Sequence, residues 1–163
     1  MKVIFLDIDG VLNCKSTPNP RGFPYIVDPG LLARYLHLVA STDAKTVLLS
    51  TWRHDPAGQW SARYYGVPFF DVIPDMPQNS RRDEIRAWLK GHPEVRRYAV
   101  IDDEDDELDD LPVFQPSSKT GLTAEIARAA AAYLNGETEE CRRRNWFVRS
   151  CQNLMSRFRR KES

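Results

Sequence analysis

Apolar positions fall along the chain in two textures. Short unbroken runs, Val3-Ile4-Phe5-Leu6, Thr46-Val47-Leu48-Leu49 and Tyr98-Ala99-Val100-Ile101, are rich in β-favouring residues and too short to be helices. Runs with no polar alternation predict strands buried on both faces, as in a parallel sheet. Between them the apolar residues spread to helical spacing. Leu31, Leu32, Tyr35, Leu36, Leu38 and Val39 follow Asp28-Pro29, a cap with proline in the first turn. Trp60 and Tyr64 mark a second helix, leading to a short strand around Phe69 to Ile73. Ser80 caps a third helix with Ile85, Trp88 and Leu89 on one face, closed by Gly91 and Pro93. Pro112 to Phe114 adds a last strand, and Leu122 to Leu134 reads as an Ala-rich helix capped near Thr120 or Thr123. Strands alternating with helices predict an α/β fold, a parallel sheet with helices on both faces.

In such sheets ligands bind outside the carboxyl ends of the strands, so the residues just beyond each apolar run carry the chemistry. Asp7-Ile8-Asp9-Gly10 ends the first run, and Gly10 lets the backbone turn away with positive φ. An isolated Asp-Gly pair is ordinarily a turn. Here the buried strand aims two carboxylates at one small site, where their repulsion calls for a cation. Hard oxygen ligands suit Mg²⁺. Ser50-Thr51-Trp52-Arg53 ends the second run, and Asp102-Asp103-Glu104-Asp105-Asp106 brings a third acidic group to the same edge.

The 163 residues, 42% of them hydrophobic, suffice for one domain with a core and are short for two. Cys14, Cys141 and Cys151 have no CxxC spacing and are odd in number, against a disulfide framework or zinc site and in favour of a cytoplasmic setting. The opening apolar run meets Asp7 too soon for a targeting core, and no later run is long enough to cross a bilayer. A net charge of zero hides a division: residues 1–140 hold 15 Lys and Arg against 22 Asp and Glu, and residues 141–163 hold 8 against 1. Phe147, Cys151, Leu154, Met155 and Phe158 recur at helical spacing among these arginines. The division therefore separates a domain over 1–136 from a basic amphipathic helix or tail over 137–163. That tail either docks on the domain or binds a nucleic acid, an acidic partner or an anionic membrane surface.

Taken in order, Asp7-Ile8-Asp9-Gly10-Val11-Leu12, the Ser50-Thr51 hydroxyls, Arg81 opening a helix and the acidic cluster at Asp102 resemble the four motifs of the haloacid dehalogenase-like (HAD) superfamily. The resemblance covers roughly residues 1–135 and implies a Rossmann-like fold and a Mg²⁺-dependent phosphatase. In that reading Asp7 is the nucleophile, needing no base because a carboxylate is competent at neutral pH. Asp9 is the general acid and then the general base. Thr51 binds a phosphoryl oxygen, with Ser50 as the neighbouring alternative, because Thr51-Trp52-Arg53 resembles the Ser/Thr-x-Arg form of polynucleotide-end phosphatases. Arg81 stands where many relatives carry Lys, with Arg82 and Lys119 as other cations in reserve. Asp7, Asp102, Asp103 and Asp9, the last through its backbone carbonyl, form the implied metal set. Asp106 is a further acid near it. Arg53, Asn13, Trp52 and His54 are candidate substrate contacts, against loop chemistry for Asn13, packing for Trp52 and plain exposure for His54, whereas His37 and His92 carry no functional reading.

Only 13–28 and 55–79 could house a lid, and neither is long enough for a cap domain. An uncovered site favours a bulky ester, such as a nucleic-acid end or a phosphoprotein. Trp52-Arg53 and Gly121-Leu122-Thr123 also resemble the small capless HAD domains of RNA-repair polyproteins. Two readings without turnover compete: a degenerate HAD module that only binds phosphate, and a receiver-like signalling domain. The receiver's phosphorylated Asp ends a middle strand in the chain, whereas the DxD here ends the first.

Overall fold

The first apolar run becomes the middle strand of the sheet. In the computed structural model, which describes residues 1–76, 79–104, 108 and 110–137, β1 (Lys2–Leu6) lies between β2 (Lys45–Leu48) and β4 (Arg97–Ile101). With β3 (Asp71–Val72) and β5 (Val113–Phe114) on the flanks, the order is β3-β2-β1-β4-β5, every pair parallel. The chain runs outward from β1 through β2 to β3, then crosses back to β4 and β5. That reversal places the topological switch point between β1 and β4, where open α/β sheets bind ligands.

Alternate residues of β1 feed two cores, which explains the unbroken apolar run. Ile4 and Leu6 join Tyr35, Leu38, Ala130 and Leu134 beneath α1 (Pro29–Thr42) and α4 (Ala124–Asn135), while Val3 and Phe5 meet Ile85 and Trp88 of α3 (Arg81–Lys90) on the other face. Phe5 and Trp88 touch edge to face at 5.3 Å. α2 (Pro56–Tyr64) follows a short 3₁₀ turn, Thr51–His54, on the first face.

Helix starts are set by side chains that satisfy the orphan N–H groups of a first turn. Asp28 accepts from Gly30 and Leu31, Asp55 from Ala57, Ser80 from Asp83 and Thr123 from Ile126. Thr123, rather than Thr120, is thus the cap of the last helix. β2 closes one residue earlier than its apolar run, because the N–H groups of both Leu49 and Ser50 turn onto Leu6 O, at 2.8 and 3.3 Å. Among the described residues no cap domain covers the sheet edge, and no helix is long and apolar enough to cross a membrane. The basic tail beyond residue 137 and Asp106 lie outside the described residues.

Candidate active site

Asp7 continues the β1 line by one residue: its N–H donates to Ile101 O at 2.9 Å, pinning its backbone to the switch point. Its side chain is 4% exposed, and Asp102, at the end of β4, is wholly buried. Asp7, Asp102 and Asp103 each offer a carboxylate oxygen, all within 4.8 Å of one another. Gly10 makes this approach feasible. Its φ is +73°, and a Cβ there would lie 2.1 Å from Asp103 Cγ, so any side chain would displace the third acid.

Crowding three acids in a buried site favours their protonated forms. Burial first, and the Asp102 charge second, push the Asp7 carboxyl up to about 8, against the Arg81 charge and a hydrogen bond from Ser50. Asp103 is raised too, by its own burial and by Asp102 and Glu104. Both effects describe negative charge in excess of its local compensation. Three hard oxygen donors converging on one point fit a divalent cation, Mg²⁺ by ligand type.

The cation beside these acids is Arg81, at the first position of α3, directly after the Ser80 cap. Its Nη1 bonds Asp102, and its Nη2 lies 3.9 Å from Glu104. Arg82, the neighbouring candidate, turns instead toward Asp83 and Asp110, at 4.0 Å from each. Lys119 is exposed in the turn before Gly121. That turn packs under the first motif, with Leu122 N–H on Val11 O and Lys15 N–H on Ser118 O. Gly121 suits that turn because its φ is +66° and a Cβ would lie 3.0 Å from Val11 O.

Adjacent hydroxyls at the end of β2 part company. Ser50 is buried, caps the 3₁₀ turn and lies close enough to Asp7 to favour its ionised form; Thr51 begins the turn and is exposed. The hydroxyl brought to Asp7 is therefore Ser50, where the motif had favoured Thr51. Arg53 also has a different partner from the phosphate expected of it. Its guanidinium is buried, pairs with Glu84 of α3 at 2.7 Å and donates to Leu49 O. Glu84 in turn accepts from Met76 N–H at 3.2 Å. The pair ties the Ser50 loop to the helix that carries Arg81, a structural link no local motif announces.

Asp9 stands apart from the acidic triad. Its Oδ2 accepts from the Trp52 indole N–H at 2.8 Å and its Oδ1 from Asn13 Nδ2 at 2.7 Å. Trp52 and Asn13, two candidate substrate contacts, thus converge on Asp9, and the Asp9 carboxylate is not part of the metal-competent group. His54 is exposed, with Asp75 at 3.4 Å, and His92 stacks on Trp88 at 3.6 Å. Neither enters the site.

A parallel sheet in this strand order, with its buried carboxylate at the switch point, places the domain in the HAD-like class of α/β folds. The assignment narrows further: the family model for the HAD domain in Swiss Army Knife RNA repair proteins matches residues 3–127, and the chain belongs to that family. No match is found among curated proteins or among solved structures.

Proposed function

We propose that the chain is a Mg²⁺-dependent phosphomonoesterase that works through a phosphoenzyme on Asp7. The observation that carries this reading is the buried Asp7 at the switch point, with a carboxylate oxygen within 4.8 Å of oxygens of Asp102 and Asp103 and the buried Ser50 beside it. Asp7, Asp102 and Asp103 would hold Mg²⁺, which when bound offsets phosphate charge and keeps Asp7 ionised.

An oxygen of Asp7 attacks phosphorus, the bond from phosphorus to the ester oxygen breaks, and Asp9 gives its proton to the departing oxygen. Asp9, now a carboxylate, takes a proton from water. The resulting hydroxide oxygen attacks the same phosphorus, the bond to Asp7 breaks, and phosphate leaves with both acids restored. Charge in the transition state spreads over three phosphoryl oxygens. Ser50, beside the nucleophile, donates to one of them, and Arg81 supplies positive charge to another. Thr51, exposed one residue further on, would meet the rest of the ester.

The lack of a cap domain among the described residues and the RNA-repair description of the family support a bulky substrate such as a polynucleotide end. The reading is tested by phosphate release from an aryl phosphate and from end-phosphorylated oligonucleotides, with Mg²⁺ and with EDTA. Release is expected only with the metal, and Asp7→Asn is expected to abolish it while the thermal transition persists. Full activity in Asp7→Asn would sink the mechanism.

A further inference from the structure

Asp9 is exposed at the crevice, and an exposed aspartate ordinarily samples several rotamers. Here both of its oxygens are held. The indole N–H of Trp52 donates to one, and the side-chain amide of Asn13 donates to the other. We infer that Trp52 and Asn13 are positioning residues that fix the Asp9 carboxyl for proton delivery to the leaving oxygen, an inference that rests on the phosphatase reading above.

The clamp is built rather than incidental. Asn13 spends its second amide proton on Ile26 O at 3.0 Å, and its Oδ1 accepts from Gly10 N–H at 3.1 Å. These neighbours also settle the amide's orientation, since a flipped amide would face an N–H with donors and two oxygens with an oxygen. Trp52 is buried, and its ring meets the edge of Tyr25 at 4.9 Å. Tyr25 is anchored in turn, its hydroxyl donating to Asp55, the cap of α2. The indole is therefore locked between the 3₁₀ turn and the loop that follows the first motif, and its N–H points at Asp9 without side-chain freedom to lose.

The chemistry of the two donors matters as much as their geometry. An indole N–H and an amide NH₂ can donate but cannot accept at those atoms. Neither can take the proton of Asp9, so the proton's outlet is the substrate oxygen or water in the crevice. Each donor occupies one lone pair on one oxygen, which leaves the remaining lone pairs to carry and aim the proton. Precise placement of an acid governs its contribution, which for general acid catalysis spans about 10²–10⁴-fold.

This assigns the two residues a signature that mere packing would not produce. A nitrophenolate departs without a proton, whereas an alkoxide requires one. Loosening Asp9 should therefore slow alkyl esters far more than p-nitrophenyl phosphate. The experiment compares wild type with Trp52→Phe, which keeps a ring on the Tyr25 side and removes the N–H together with part of the indole's bulk; the loss of bulk bears on both esters alike, and the loss of the N–H on the alkyl ester alone. The substrates are p-nitrophenyl phosphate and whichever alkyl phosphate, among end-phosphorylated oligonucleotides and sugar phosphates, the wild type hydrolyses fastest. The expected result is that the alkyl-to-aryl ratio of kcat falls by about tenfold or more.

Equal losses on both esters, or none, would overturn the inference. A wild type that hydrolyses the aryl ester alone would overturn it as well, because no proton is then being delivered. A wild type inactive on both would instead remove the phosphatase reading beneath it. Should Trp52→Phe fail to fold, Asn13→Asp carries the same test: it retains the acceptor for Gly10 and faces Asp9 with an oxygen. The same fall in ratio is expected, and an unchanged ratio is the contrary result.

Discussion

Raising pH should destabilise the metal-free protein, and Asp7 sets the size of the effect. Its carboxyl moves from an ordinary 3.8 in the unfolded chain to about 8 in the fold. A folded value above the unfolded one means the native state keeps a proton that the unfolded chain has released. Stability contributed by that proton is full below about pH 4 and is lost as pH rises to about 8. At about 1.4 kcal/mol per pH unit, the window is worth on the order of 5 kcal/mol. For a chain of this size that corresponds to roughly 10–20 °C in melting temperature. Asp103, also raised, adds in the same direction. The assay is thermal unfolding in EDTA from pH 5 to 8.5, for wild type and Asp7→Asn. Wild type should lose stability steadily across the range, and Asp7→Asn, which has no proton to lose at that position, should be markedly flatter. Mg²⁺ should rescue wild type more at the alkaline end, where the ionised acids bind it, than at the acidic end. Parallel slopes for the two proteins would refute the reasoning, because Asp7 would then not be the group that titrates.

Two other perturbations follow from the site's construction. Gly10→Ala forces a side chain onto a backbone with φ of +73° and onto Asp103; urea unfolding should show a loss of at least roughly 1–2 kcal/mol from the backbone alone, and stabilisation by Mg²⁺ should disappear with the displaced acid. Arg53→Met leaves Glu84 buried and unpaired, and should cost about 3–5 kcal/mol in the same assay. Adding Glu84→Leu should recover much of that loss, since a buried pair replaced as a unit by apolar side chains is often close to neutral; a double variant as unstable as the single one would contradict the pairing.

Local chemistry was legible because its causes are local. A short apolar run of β-favouring residues reads as a buried strand, and the residue after it lies at the strand's carboxyl end, which is how Val3 to Leu6 point to Asp7 at an edge. The caps at Asp28 and Ser80 are equally local: an oxygen followed by a helical pattern defines where the helix begins, and with it the position of Arg81. Alternation of strand and helix determined the parallel sheet, and the four motifs in order determined the family.

Partner choice was decided only in three dimensions. Asp7 and Asp9 are two residues apart, yet one faces Asp102 and Asp103 and the other faces Asn13 and Trp52. Ser50 and Thr51 are adjacent, yet the turn that begins between them buries one hydroxyl against Asp7 and exposes the other. Arg53 looked like a phosphate ligand and is closed off by Glu84, 31 residues later. In each case the sequence determined which functional group arrives at the sheet edge. Where that group points depends on the direction of its Cα–Cβ bond at the end of an element and on what the neighbouring elements bring opposite it, and neighbours across a sheet have no fixed spacing along the chain.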